Sequence, residues 1–123
     1  MEYTTPMVHL LRQSVGNAWR GLTFVWNGER NFRLEVASAV FVLLVAMLLH
    51  FTYVEFCIVV ACIAGVLTAE VINTIVEELL DIIAPSYSEH VRRLKDATAG
   101  AVLLLSLASL AAGIATVVHH FML

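Results

Sequence analysis

Three apolar runs dominate the chain, each close to the roughly 20 residues that cross a hydrocarbon core about 30 Å thick. They are LEVASAVFVLLVAMLLHFTYV, Leu34 to Val54; the stretch from Phe56 to about Leu80; and ATAGAVLLLSLASLAAGIATVV, Ala97 to Val118. The chain has 123 residues, of which 60% are hydrophobic and only 14% charged. That leaves too little polar chain to wrap three such helices in a water-soluble shell. The expected fold is an all-α membrane protein, a helical bundle forming a single domain over residues 1–123.

A fourth element precedes the spans. Thr5-Pro6 is a helix start, with a capping hydroxyl followed by a proline in the first turn. Val8, Leu11, Val15, Ala18, Trp19, Leu22, Val25 and Trp26 then recur at steps of mostly three and four, while Arg12, Gln13, Asn17 and Arg20 lie off that stripe. The pattern predicts an amphipathic helix over about 6–28, its apolar face suited to the membrane interface.

All seven basic residues, Arg12, Arg20, Arg30, Arg33, Arg92, Arg93 and Lys95, fall before the first span or between the second and third. The positive-inside rule then puts the N-terminus and the loop SYSEHVRRLKD, Ser86 to Asp96, in the cytoplasm. A net charge of -3 offers no footprint for nucleic acid. The cysteines, Cys57 and Cys62, point about 140° apart on a helix and are expected to be buried thiols rather than metal ligands. His119 and His120 are expected to form a solvated interfacial tail.

The second run carries the chemistry. In AEVINTIVEELLD, Ala69 to Asp81, the residues Glu70, Asn73, Glu77 and Asp81 fall at about 0°, -60°, -20° and +20° around a helix, one polar line on an apolar cylinder. Glu78 lies at its margin. A carboxyl inside the bilayer costs about 3 kcal/mol, so such a line must face protein, water or a ligand. A proton or cation path needs acids spread across the membrane depth, whereas these cluster toward one end. Carboxylates beside Arg and Lys suit phosphates carried on Mg²⁺. No GxxxxGK and no GxGxxG sequence is present, so neither familiar nucleotide-binding loop applies.

ERNF, EVINTIVEELLD and LKDATAGAV, with AWRGL at Ala18 to Leu22, resemble the small prokaryotic integral-membrane lipid kinases, the diacylglycerol kinase and undecaprenol kinase family. The likeness runs from about Asn17 to Val118. The resemblance implies an ATP- and Mg²⁺-dependent lipid alcohol kinase of the bacterial cytoplasmic membrane, with a surface helix and three spans per subunit, working as a homotrimer. Glu70 matches the general base and Asn73 a residue orienting the reacting groups. Glu29 and Glu77 match the Mg²⁺ ligands that bridge ATP phosphates. Lys95, Asp96 and Tyr87 match ATP contacts, and Trp26, Phe32, Arg33 and Glu35 match residues lining the lipid headgroup. Leu10, Asn17 and Ser88 stand where some members carry arginine, tyrosine and histidine, all bearing on adenine contacts. ERNF and KDATAGAV look more like the undecaprenol kinases, and Glu35 more like the diacylglycerol type; the longer motif favours undecaprenol. The competing expectation is a non-catalytic membrane subunit whose acidic face binds a partner helix.

Overall fold

A computed structural model describes residues 5–122, which form four helices: α1 (Thr5–Gly28), α2 (Arg30–Leu48), α3 (Tyr53–Ile83) and α4 (Glu89–Met122). The last three are long and apolar enough to cross a membrane. They run antiparallel in sequence, with α3 against α4 the most extensive pairing and α2 joined mainly to α3. At 31 and 34 residues, α3 and α4 measure about 46 and 51 Å, longer than the hydrocarbon is thick, so their ends project beyond it.

The helices are as expected, but their limits are not. The run Leu34–Val54 is not one span. α2 stops at Leu48, Leu49 caps it, and His50 takes a left-handed φ of 55°. α3 begins at Tyr53 because Thr52 and Glu55 form a reciprocal capping box: Thr52 Oγ1 accepts from the Glu55 amide at 3.3 Å, and Glu55 Oε2 accepts from the Thr52 amide at 2.8 Å. Together these satisfy two of the amides that a helix start leaves orphaned. Hydropathy alone passes over this turn, since Phe51, Tyr53 and Val54 are as apolar as the helices they separate.

The polar loop is likewise shorter than its composition suggests. Ser88 Oγ accepts from the Val91 amide at 3.1 Å and starts α4. Arg92 then bridges Glu89 and Asp96, at 2.6 and 2.9 Å, the spacing at which opposite charges face each other on a helix. Residues 89–96 are therefore two helical turns standing outside the expected span of 97–118. α1 starts at Thr5; the hydroxyl expected to cap it lies outside the described side chains.

Little is buried, as in a thin bundle that uses lipid as its solvent. The buried apolar residues are Val25, Phe32, Ala46, Val59, Leu80 and Val102. Val8, Leu11, Val15, Trp19, Leu22 and Trp26 keep the α1 stripe exposed, as a helix lying in the membrane interface leaves it. Cys57 is exposed and Cys62 half-buried, so only the second approaches the buried state expected of both. The expected solvated tail holds for His119, whose side chain is 64% exposed, but not for His120, which is only 18% exposed, and both contact Glu55.

Close packing of α3 on α4 centres on Gly65. A Cβ there would lie 3.6 Å from Leu105 Cδ2, ordinary van der Waals distance. Gly65→Ala is therefore expected to be neutral, or stabilising by up to about 1 kcal/mol through helix propensity. Gly65→Leu drives a branched chain into Leu105 and is expected to cost about 1–3 kcal/mol. Denaturant unfolding in mixed micelles measures both.

Candidate active site

The antiparallel arrangement gathers the acidic line and the basic segments at one end of the bundle. α3 supplies Glu70, Asn73 and Glu77 from successive turns, all half-buried. α2 supplies Glu35, whose carboxyl comes within hydrogen-bonding reach of Glu70. The α1–α2 junction supplies Glu29, the residue before α2, in an extended conformation with its side chain free of any capping bond.

Bonds along α3 hold the line in place. Asn73 Nδ2 donates to Glu77 Oε1 at 3.1 Å. The buried Thr74 hydroxyl donates back to the Glu70 carbonyl at 3.0 Å and keeps that turn regular without engaging the Glu70 carboxyl. Among the described residues two buried acceptors have no partner: Asn73 Oδ1 and Glu35 Oε2. An unpaired buried acceptor costs about 1–3 kcal/mol, so these oxygens mark a place built to receive donors or a cation.

An open apolar groove of about 640 Å³ begins at Glu35 and runs between α2, α3 and α4 past Ser38, Cys62 and Ser109 to Phe51 at the opposite end. Glu35 thus stands at the head of a groove that matches hydrocarbon, with Glu70 beside it. At the α1–α2 junction Arg33 donates to the Trp26 carbonyl at 2.6 Å, next in sequence to the buried Phe32, while Trp26 is 43% exposed.

The projecting start of α4 completes this end. Lys95 Nζ donates to Asp81 Oδ1, tying α4 to α3, and Glu77 and Glu78 add to the negative field around it. Chiefly through the Asp81 hydrogen bond, that field pushes the Lys95 ammonium above the ordinary lysine range. Arg92, hydrogen-bonded to Glu89, holds that carboxyl below the ordinary range.

Of the residues singled out from sequence, Glu35, Glu70, Asn73 and Glu77 come together, with Lys95 alongside. Tyr87 is 83% exposed between α3 and α4, and Asp96 is engaged with Arg92. The contacts of Glu35 with Glu70 and of Lys95 with Asp81 were not anticipated; both join different helices, which local spacing does not reveal. Among the described residues no three Asp, Glu, His or Cys side chains converge as a ready metal cage. The arrangement nevertheless fits Mg²⁺, which takes one or two carboxylates and fills its octahedron with water and phosphate oxygens. Glu29, the second oxygen of Glu77 and the unpaired Asn73 amide oxygen are the donor types it uses.

Residues 16–117 match the family model described as prokaryotic diacylglycerol kinase. Curated relatives include a diacylglycerol kinase of Synechocystis sp., 33% identical over 78% of this chain and 55% of its own length. An undecaprenol kinase of Bacillus subtilis is 31% identical over 83% of each chain. A diacylglycerol kinase of Escherichia coli is 27% identical over 82% of each chain. The chain therefore spans about half the length of the Synechocystis relative and most of the other two.

Proposed function

The chain belongs to the prokaryotic diacylglycerol kinase family, a family of lipid kinases, and from that premise we propose that it transfers the γ-phosphoryl group of ATP to the hydroxyl of a membrane lipid alcohol, with undecaprenol as the acceptor. The observation that carries the reading is Glu35 at the head of an almost wholly apolar groove, with Glu70 beside it and Asn73 and Glu77 following on the next turns of α3. A lipid alcohol has that form: an oily chain ending in one hydroxyl.

Glu70, the deepest acid of the row, is the group that receives the hydroxyl proton. As that O–H bond yields its proton to the carboxylate, the lipid oxygen bonds the γ-phosphorus and the bond to the departing ADP oxygen breaks. Glu35, facing Glu70, positions the hydroxyl, while Trp26, Phe32 and Arg33 frame the headgroup. Asn73 holds Glu77 by its amide nitrogen and leaves its oxygen unpaired, available to orient the reacting groups. Glu77 and Glu29 are the carboxylates that would hold Mg²⁺, which neutralises phosphate charge when bound. Lys95, Asp96 and Tyr87, on or before the projecting turns of α4, meet the nucleotide. Phosphoryl transfer asks for such positioning and charge neutralisation more than for covalent chemistry. The one-sided distribution of the seven basic residues puts this end in the cytoplasm, where ATP is. Each site is shared between neighbouring subunits of a homotrimer.

The choice of undecaprenol rests on ERNF at Glu29 to Phe32 and on KDATAGAV at Lys95 to Val102. Purified protein in bilayers, given labelled ATP with undecaprenol or diacylglycerol side by side, is expected to phosphorylate undecaprenol faster. Faster phosphorylation of diacylglycerol reverses the acceptor and leaves the kinase reading intact. Phosphorylation of neither leaves the non-catalytic subunit as the better account.

A further inference from the structure

We propose that Glu55, His119 and His120 form a pH-responsive clasp that fastens the start of α3 to the end of α4, at the end of the bundle remote from the acidic row. Glu55 is 5% exposed. One of its oxygens accepts from the Thr52 amide at 2.8 Å and lies 2.9 Å from His120 Nδ1; the other lies 3.5 Å from His119 Nδ1. A carboxylate can only accept, so each imidazole bonds to it through a protonated Nδ1. The His120 ring also rests 4.9 Å from the Phe51 ring and edge-on to Phe121, which fixes its direction. The clasp thus joins the α2–α3 turn, α3 and α4.

Among the described residues no lysine or arginine approaches Glu55, whose other support is the Thr52 amide at the start of α3. All seven Lys and Arg residues belong to the opposite end. The remaining titratable groups near it are His50, in the turn with Nδ1 against the Met47 carbonyl, and Tyr53 and Cys57, both exposed on α3 itself. α2 presents no titratable side chain here, and the Thr116 hydroxyl of α4 is spent on the Ala112 carbonyl. A buried carboxylate left without an opposite charge is strongly unfavourable. Among the described side chains around Glu55, imidazolium is the one that brings a full positive charge, beside the partial charge of the Thr52 amide, and imidazole is a side chain whose charge responds to pH near neutrality.

The packing beside the cluster gives little support. Thr52, Val54, Glu55 and Ile58 of the α3 side face Ala112, Ala115, Thr116 and His119 of α4 across a gap of about 440 Å³. With small side chains on the α4 wall, few apolar contacts hold these ends together, and the charged bonds decide whether they close. The clasp is fastened while the imidazoles carry a positive charge against Glu55 and loosens when that charge is lost at higher pH.

Distance measurement between spin labels tests this on the full chain in bilayers. Labels go on Tyr53→Cys and Met122→Cys, both positions exposed, with Cys57→Ser and Cys62→Ser removing the native thiols and excess unlabelled protein suppressing distances between copies. One short-distance population is expected at pH 5.5, with a longer one rising roughly fivefold by pH 8.5, the difference between a charged and a neutral hydrogen bond. In Glu55→Gln, and separately in His119→Gln with His120→Gln, the distribution is expected not to change with pH. A pH-independent distribution in the native background overturns the clasp. So does a pH response that persists in either variant, because another group would then be titrating.

Discussion

Replacing Glu70 with glutamine is expected to lower the rate of lipid phosphorylation by about 10²–10⁴-fold, the usual contribution of a positioned general base. The substitution is nearly isosteric, and it spares the bonds that shape this turn. Thr74 bonds the Glu70 carbonyl rather than its carboxyl, and Asn73 bonds Glu77. Helix geometry, the groove and the nucleotide end are all retained, so ATP binding is expected to be unchanged. What is lost is an oxygen able to take a proton from the lipid hydroxyl. The rate at saturating lipid and the nucleotide affinity should be measured on the same preparation. Undiminished turnover removes Glu70 as the base; lost nucleotide binding assigns it to the phosphate end instead.

The two kinds of feature in this chain differ in how openly the sequence displays them. Those written within one helix are legible. The α1 stripe follows from steps of three and four, and the acidic row from Glu70, Asn73 and Glu77 recurring on one face of α3. Hydropathy finds all three spans because length and apolar content suffice. Helix ends are harder, since capping is a matter of one or two side chains. Thr52 and Glu55 form a capping box inside an apolar stretch, where an average over many residues conceals it. Contacts between helices are not legible from spacing at all. Glu55 meets His119 and His120 across 64 and 65 residues of sequence, and Glu35 meets Glu70 across two helices and a turn. In each case a group with no partner along the chain becomes explicable only when antiparallel packing supplies its neighbour. The expectation of a solvated tail failed at His120 for that reason.

Glu77→Gln separates charge from shape at the nucleotide end. The Asn73 amide donates to Glu77 Oε1 at 3.1 Å, and a glutamine carbonyl oxygen at that position accepts the same bond. Local structure and stability are therefore expected to stay unchanged, while the negative charge that would hold Mg²⁺ disappears. Loss of one such electrostatic group typically lowers a rate by about 10²–10³-fold. If that loss arises through the metal, excess Mg²⁺ restores part of it, and the concentration giving half-maximal rate moves up by about 10-fold or more. Glu29→Gln is expected to behave in the same way, because its side chain is free of capping bonds and has no structural task to lose. Glu70→Gln is expected to show no such shift, since a missing base is not replaced by more metal. Rate against Mg²⁺ concentration for the three variants distinguishes the roles directly. A Glu77→Gln enzyme with the native Mg²⁺ dependence would return this carboxylate to a purely structural part, holding Asn73.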